Sequence, residues 1–320
     1  MHQKLYRLEE DSTLTLQSLE DVSQEWIEDE TTRWLAFDSA EPDEIAAALA
    51  SLKLDTLIIE ALSEEHTGPR LALFDRSVLM SIPFYLDGSN SPEYLTFLSL
   101  PTTLITLSPG TNLPLERLST ELTSERRLIE PSVPALLYSI IDALGDANKG
   151  PFFECRRIIA EMSKHIESDP ATVDLGDILE SKRVVDGLIN TFEDQLYCVN
   201  ALLNVKVNEF SGSTVQQYFR DMIGLLTVAH RASLRLESRL QDLHQHYLLT
   251  LQDTTNRRLK VLTVLSSIYL PATLIAGIYG MNFPDIPALG VPHGYFIVLG
   301  IMATVIVGQI LYFMKKGWFS

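Results

Sequence analysis

The chain has 320 residues, with 42 acidic and 25 basic side chains and a formal net charge of −17. The acidic excess lies in the first half, because residues 1–150 hold 26 acidic and 10 basic residues, whereas residues 151–320 hold 16 and 15. This distribution argues against nucleic acid as a partner, since binding phosphate needs clustered Lys and Arg. The two cysteines, Cys155 and Cys198, form no CxxC pattern, so a reduced, cytosol-facing compartment is expected.

Residues 1 to about 110 alternate short apolar runs with helix-like segments, which is typical of an α/β domain. The predicted strands are residues 34–37, 57–59, 71–74, 78–84 and 95–107. Residues 42–52 begin with Pro42 and acidic side chains and continue with an alanine-rich body, so a helix is expected there. This part has no glycine-rich phosphate loop, Cys/His metal pattern or nucleophile elbow, and no enzyme activity is indicated.

From Leu115 onward the apolar periodicity is helical. One apolar face before Gly145 consists of Leu136, Leu137, Ile140, Ile141 and Leu144. Further helices are predicted at 152–168 and 175–210. No proline occurs between residue 213 and Pro271, so residues 214–279 are expected to form a single helix about 100 Å long.

The aqueous half of this long helix carries an apolar face with coiled-coil-like spacing, so it should pack on neighbours. The face consists of Leu225, Ala229, Ala232, Leu236, Leu240, Leu243, Tyr247 and Leu251. An antiparallel bundle with the preceding helix explains part of this face, and contact between copies of the chain explains the rest. Charged groups on the same helix, including Asp242, Asp253 and His246, are interpreted as a solvated face and not as metal ligands.

Two segments near the C-terminus are long enough to cross a bilayer, which takes about 20 apolar residues in a helix. Residues 261–284 and 286–314 contain no charged side chain, and only Asp285 separates them. The basic residues on the outer flanks are Arg257, Arg258, Lys260, Lys315 and Lys316. The positive-inside rule places both flanks in the cytoplasm and the connecting turn on the far side of the membrane.

One face of the first span is not fully apolar. It carries Asn256, Thr263, Ser266, Leu270, Thr273 and Gly277, at helical spacings of three, four and seven. Because polar groups are costly in lipid, this face should contact protein or water. The residues alone leave two interpretations open: helix–helix contact through small side chains, and a water-filled pore.

The turn between the spans reads Tyr279-Gly280-Met281-Asn282, and Gly-Met-Asn at this position resembles the CorA-type divalent-cation channels. Residues 136–144 and 218–221 are also similar to that family, so the resemblance covers residue 130 to the end. It implies an α/β cytosolic domain, a long α-helical stalk and two C-terminal transmembrane helices, assembled as a homopentameric funnel. Such a funnel lies in a bacterial-type inner membrane among lipid, with both termini cytoplasmic.

The resemblance also assigns roles to particular residues. The implied pore-lining positions are Asn256, Leu259, Leu262, Leu270, Thr273 and Gly277, and the implied selectivity filter is Gly280, Met281 and Asn282. Asn282 offers a neutral amide oxygen that can hold a hydrated cation without stripping its water. An alternative for the motif is a plain helix cap, since helices often end on Gly and Asn. Asp221 and Asp87 of neighbouring protomers are the implied site of a regulatory cation.

These observations divide the chain into a sequence of expected domains. They are an N-terminal α/β domain (1–130), a helical bundle with stalk (131–255), a pore-lining span (256–283), an outer loop (284–293), a second span (294–314) and a cytosolic tail (315–320). The expected function is transport of Mg²⁺, or alternatively Co²⁺ or Ni²⁺, without any other cofactor. Two alternatives stay open: a ZntB-like zinc transporter of the same fold, and a membrane-anchored sensor or scaffold. Met281 favours the magnesium and cobalt side, because the ZntB branch usually differs at this residue.

Overall fold

The structure is a computed structural model. It describes residues 2–18, 30–38, 49, 52, 54, 56–63, 68–74, 77–86, 89, 91–108, 110, 112–124, 126–168, 173–204, 213–281 and 292–318. The chain forms two compact units, Met1–Leu243 and His244–Ser320.

A mixed sheet is the centre of the first unit. Its strands are β1 (His2–Leu8), β2 (Leu14–Gln17), β3 (Arg33–Asp38), β4 (Arg70–Leu73), β5 (Val78–Phe84), β6 (Glu93–Ser99) and β7 (Thr103–Ser108). They lie in the order β2-β1-β3-β7-β6-β5-β4. β3 and β7 are parallel, and the other neighbours are antiparallel. Both are rich in buried apolar residues, as expected for strands covered on two faces.

The strands predicted at 34–37, 71–74 and 78–84 are confirmed, while the run at 95–107 is divided between β6 and β7 by a turn at Pro101. The strand predicted at 57–59 is wrong, because these residues lie in helix α1 (Thr56–Ser63). Ile58 and Ala61, one helical turn apart, are both buried. Periodicity cannot distinguish so short an apolar run as strand or helix. The helix predicted at 42–52 lies outside the described residues except for Leu49 and Leu52.

Long helices follow the sheet in sequence. They are α2 (Leu113–Ser124), α3 (Val133–Ala147), α4 (Lys149–Ser168), α5 (Leu175–Asn204), α6 (Ser213–Tyr279) and α7 (Gly294–Lys315). The apolar face predicted on α3 is confirmed, since its five residues are almost fully buried. Ser132 starts this helix by accepting a hydrogen bond from the backbone N–H of Ala135 at 3.3 Å.

Helices cover the sheet on both faces. Trp34 and Phe97 point to one face, where they join a core with α2, α3, α5 and the beginning of α6. Leu35 and Ile105 point to the other face, where they join a smaller core with α1. Alternation along each strand therefore produces a three-layer arrangement in the first unit.

The long helix predicted at 214–279 is confirmed as α6. Its covered face is a strict alternation of four- and three-residue steps: Val215, Phe219, Met222, Leu226, Ala229, Ser233, Leu236, Leu240 and Leu243. The predicted face was wrong at Leu225, which is 67% exposed, because Leu226 takes the inward position. Ser233, and not Ala232, is buried on this covered face, which we call the seam. Phe219 packs edge-on against Tyr138 of α3 at 5.8 Å, so the seam fixes α6 into the larger core.

A buried polar network joins the sheet to the helices. The backbone N–H of Tyr85 donates to Asn148 Oδ1 at 2.8 Å, and Asn148 Nδ2 donates to Gln195 Oε1 at 3.2 Å. Gln195 Nε2 then donates to the carbonyl oxygen of Pro83 at 2.7 Å. Since Asn148 and Gln195 are fully buried, these hydrogen bonds satisfy polar groups that water cannot reach.

We expect Asn148→Ala to destabilise the first unit, because it leaves the Tyr85 N–H and the Gln195 oxygen buried without partners. The cost of about 2 kcal/mol corresponds to a melting temperature lower by about 5 °C. Asn200→Ala is the control, because it removes an amide that is exposed on α5. Thermal unfolding followed by tryptophan fluorescence measures both. Equal melting temperatures for Asn148→Ala and the parent would contradict a stabilising network.

Candidate functional site

The second unit contains the C-terminal part of α6 and the whole of α7, both long and apolar enough to cross a membrane. Only 6% of the apolar window of each helix is buried. A core helix of a soluble protein would be mostly covered, whereas these helices expose Leu262, Leu274, Ile301 and Leu311. Exposed apolar surface of this length requires lipid or further protein around it.

Each of these helices has one partly covered face. On α6 the covered positions are Val264, Ser267, Ile268, Pro271, Ala272 and Ile275, and on α7 they are Val298, Met302, Val305, Ile306, Gln309, Ile310 and Phe313. Both helices also line one cavity of about 750 Å³, to which Ala276 of α6 and Val298 and Met302 of α7 contribute, so the two helices lie side by side within this unit. The carboxamide oxygen of Gln309 is buried there without a hydrogen-bond partner among the described residues.

The predicted pore-lining residues from Leu259 to Gly277 lie on the other side of α6, and Asn256 lies about a quarter turn from the covered face. Asn256, Leu259, Leu262, Leu270, Thr273 and Gly277 are all exposed. Thr273 and Val264 are nine residues apart, about two and a half turns, which puts them on opposite sides of the helix. The structure therefore brings the predicted stripe together on a surface that α7 leaves open.

The hydroxyl groups on this surface have a defined orientation. Thr263 Oγ1 donates to the carbonyl oxygen of Leu259 and Thr273 Oγ1 to that of Tyr269, each at 2.8 Å. Because each hydroxyl proton is used inside the helix, the oxygen can only accept further hydrogen bonds. Such oxygens suit the water molecules of a hydrated cation, whose protons point outward.

The Gly-Met-Asn motif begins where α6 ends. Gly280 N–H donates to the carbonyl of Ala276 at 2.9 Å, and Met281 N–H to that of Ile278 at 3.3 Å. A Cβ at Gly280 would lie 3.1 Å from the Ala276 carbonyl oxygen, so close backbone approach favours glycine here. Gly280 does not adopt the left-handed conformation of a glycine cap. Asn282 lies outside the described residues.

Sequence reasoning did not single out His293 and Gln309. His293 lines the cavity beside Tyr279 and Gly280 and has a left-handed backbone, with φ of 70°, at the start of α7. The signal for His293 is Pro292-His293-Gly294 directly before an apolar run. The signal for Gln309 is a single amide within such a run, since polar groups in spans mark contacts with other helices.

The predicted regulatory carboxylate, Asp221, is exposed on α6. Its neighbours Tyr218 and Phe219 pack against Tyr138, at ring distances of 5.5 and 5.8 Å. Burial raises the pKa of Tyr138, and the carboxylates of Asp142 and Asp221 raise it further. Asp87, the predicted partner of Asp221, lies outside the described residues.

Among the residues that the structure describes, no three His, Cys, Asp or Glu side chains are arranged to hold a metal ion. Asp242, His246 and Asp253 are exposed, which agrees with a solvated face. Cys155 and Cys198 are both free and buried. Burial raises the pKa of Cys155 to about 11 and that of Cys198 to about 12, so both thiols stay protonated at neutral pH.

Comparison with known proteins gives a family match over most of the chain. The profile of the family described as CorA-like Mg²⁺ transporter protein matches residues 29–316. The cobalt/magnesium transport protein CorA of Thermotoga maritima is 25% identical over 267 residues, which cover 82% of this chain and 76% of that protein.

The chain is also similar to one protein over less than half of its length and to one solved structure over almost all of it. The Bacillus subtilis protein YfjQ is 33% identical over 144 residues, which cover 45% of this chain and only 43% of that protein. The solved structure of the CorA magnesium transporter from Methanocaldococcus jannaschii superposes with a TM-score of 0.82 and covers 99% of both chains. At 17% identity, this superposition demonstrates a shared fold.

Proposed function

The chain belongs to the family of CorA-like Mg²⁺ transporter proteins, and from this premise we propose that it forms a homopentameric channel for divalent cations. The proposal rests on the exposed stripe from Leu259 to Gly277, on the side of α6 opposite its covered face, which Asn256 extends toward the N-terminus. In lipid this stripe would be costly, whereas several copies around an axis enclose it in water. Copies of α6 then line the path and copies of α7 surround them.

The side chains of the stripe suit a hydrated cation. Threonine oxygens accept hydrogen bonds from the water shell of Mg²⁺, which loses its water reluctantly. At the entrance a ring of Asn282 amides holds the hydrated ion by the same chemistry. Further along, rings of Leu259, Leu262 and Leu270 form apolar constrictions that close the path by dewetting.

The charges that flank the spans support an orientation with both termini in the cytoplasm. Arg257, Arg258 and Lys260 precede the first span, and Lys315 and Lys316 follow the second. The acidic excess of residues 1–150 then lies on the cytosolic side, where its field attracts divalent cations. Met281 supports a magnesium or cobalt channel over a zinc transporter of the same fold.

Cytosolic cation closes the channel through Asp221 in this proposal. Two carboxylates from neighbouring protomers, Asp221 and Asp87, repel each other when empty and are joined when a divalent ion bridges them. Occupancy stabilises one arrangement of the stalk helices, and five such sites together supply the several kcal/mol that a shift from open to closed requires.

The first test is cation flux into proteoliposomes that contain a magnesium-sensitive dye. We expect Mg²⁺ flux from the parent, and a loss of at least about ten-fold in Asn282→Ala, because hydrogen bonds to the hydrated ion disappear. Asn200→Ala, which removes a cytosolic amide, should retain parental flux. Both variants should keep the mass of a pentamer in detergent. Flux of Zn²⁺ alone would indicate the zinc transporter, and a monomeric protein without flux a tethered scaffold.

The second test compares two threonines that are both exposed in one protomer. Thr273→Cys places a thiol on the proposed water path, whereas Thr304→Cys places one on the outer face of α7, toward lipid. We expect a charged, membrane-impermeant thiosulfonate to react at least about ten times faster at position 273, because thiolate forms in water and not in hydrocarbon. The buried Cys155 and Cys198 give little background. Similar reaction rates at positions 273 and 304 would contradict the proposal that α6 lines the conduction path.

The third test measures flux against internal Mg²⁺. Asp221→Asn weakens the bridged site and relieves the repulsion, so we expect it to conduct at Mg²⁺ concentrations several-fold above those that silence the parent. Asp242→Asn, an exposed aspartate on the same helix, should leave the inhibition curve unchanged. Superimposable curves for Asp221→Asn and the parent would rule out Asp221 as a sensor.

A further inference from the structure

A small cavity of about 240 Å³ lies between α4 and α6 in the first unit. It is lined by Phe152, Arg156, Ala232, Arg235, Leu236 and Arg239. On α4, Phe152 and Arg156 are four residues apart and share one helix face. On α6, Arg235 and Arg239 have the same spacing. Two helices thus direct three guanidinium groups around one cavity, with apolar side chains as its floor.

Among the described residues, these three arginines lack the ion-pair partners that Arg157 has. Arg157, the next residue after Arg156, forms ion pairs with Glu154 at 2.6 Å and with Glu161 at 2.7 Å. Within the described part of the chain, Arg156, Arg235 and Arg239 form no hydrogen bond or ion pair, and no acidic side chain lines their cavity. Arg235 and Arg239 also repel each other, because like charges four residues apart destabilise a helix.

An apolar groove adjoins the arginine cavity and shares Phe152 and Ala232 with it. The groove has a volume of about 270 Å³ and includes the exposed side chains of Phe153, Leu225 and Val228. Asp142, Asp146 and Lys149 also line it, and both carboxylates are paired, Asp142 with Arg126 and Asp146 with Lys149. The Phe152 and Phe153 rings meet edge to face at 5.6 Å, which leaves aromatic surface toward the groove. A ligand that fills both parts must carry several negative charges at one end and a flat, apolar group at the other.

We infer that this is a binding site for a nucleoside polyphosphate, with the phosphates on the three arginines and the base in the groove. The planar fork of arginine donates two parallel hydrogen bonds to phosphate oxygens, and its charge is permanent. Proteins bind nucleobases of any identity by stacking them on aromatic side chains. An acidic surface of a second copy is the competing partner, but an acidic side chain on the arginines would leave the adjoining groove empty.

The test is calorimetric titration of the full-length, detergent-solubilised protein with ATP in metal-free buffer, where chelation of divalent ions makes no contribution. We expect Arg235→Gln and Arg239→Gln each to weaken ATP binding by at least about ten-fold, because each removes a charge-assisted hydrogen bond. Arg183→Gln is the matched control: it removes an equally exposed arginine of α5 that lines none of these cavities. Its ATP affinity should stay within about two-fold of the parent.

Tripolyphosphate is the second probe, and it should bind at least about ten-fold more weakly than ATP because it lacks the base. Equal affinities for the two probes would overturn the nucleoside assignment. An equal loss in Arg183→Gln would mean that ATP responds only to net charge, and absence of binding at millimolar ATP would also overturn the inference. Melting temperatures of the variants show that each is folded. Because no transport is measured, the outcome is independent of channel activity.

Discussion

The C-terminal part of α6 has three kinds of surface, and neither water nor lipid alone solvates all of them favourably. One face is covered by α7, flanking positions such as Leu265 and Leu274 are apolar and exposed, and the stripe through Thr273 is exposed and partly polar. Lipid satisfies the apolar positions but not the stripe, and water satisfies the reverse. In the proposed channel a ring of copies separates the two environments, and the surface of the helix is then the reason for the assembly.

The same helix, α6, belongs to both units. Its N-terminal part is fixed by the seam from Val215 to Leu243, which packs into the core shared with α3 and α5. Asp221 lies within this anchored part, whereas Leu259 and Thr273 lie in the second unit. A continuous helix is stiff along its axis, so a change in how the anchored part is held can reach the constrictions without a flexible linker. This gives the proposed regulation a physical carrier.

The strongly periodic elements were predictable from sequence. The five apolar residues of α3, the run of β5 and the full length of α6 were all identified, because burial on one face or two imposes the period directly. Residues 57–59 were misassigned because three apolar residues fit a strand and a helix equally. The sequence does not distinguish Leu225 from Leu226, because both are apolar. Only contact with the core determines which of the two adjacent side chains is buried.

The candidate site was predictable in part, for a related reason. The spacing of Thr263, Ser266 and Thr273 showed that they share a face, but that α7 covers the opposite face depends on packing between distant segments. The arginine cavity was invisible in sequence, because Arg156 is separated from Arg235 by 79 residues and meets it only when α4 lies beside α6. Charges gathered from separate helices leave no local pattern, whereas stripes along one helix do.

The concentration of free divalent cation affects the two proposed sites on α6 in opposite ways: it fills the Asp221 site and lowers the free ATP that reaches the arginines. Asp221 directly precedes Met222, and in our proposal it binds free divalent cation. Arg235 and Arg239 follow further along the same helix. Mg²⁺ and ATP bind each other in solution, so an excess of one leaves little of the other free. Metal-free ATP also carries more negative charge than its Mg²⁺ complex, and the three arginines favour the more negative form. If both proposals hold, scarce cation leaves the carboxylates empty and the arginines occupied, and abundant cation reverses both. The same helix would then respond to the balance between free cation and free ATP.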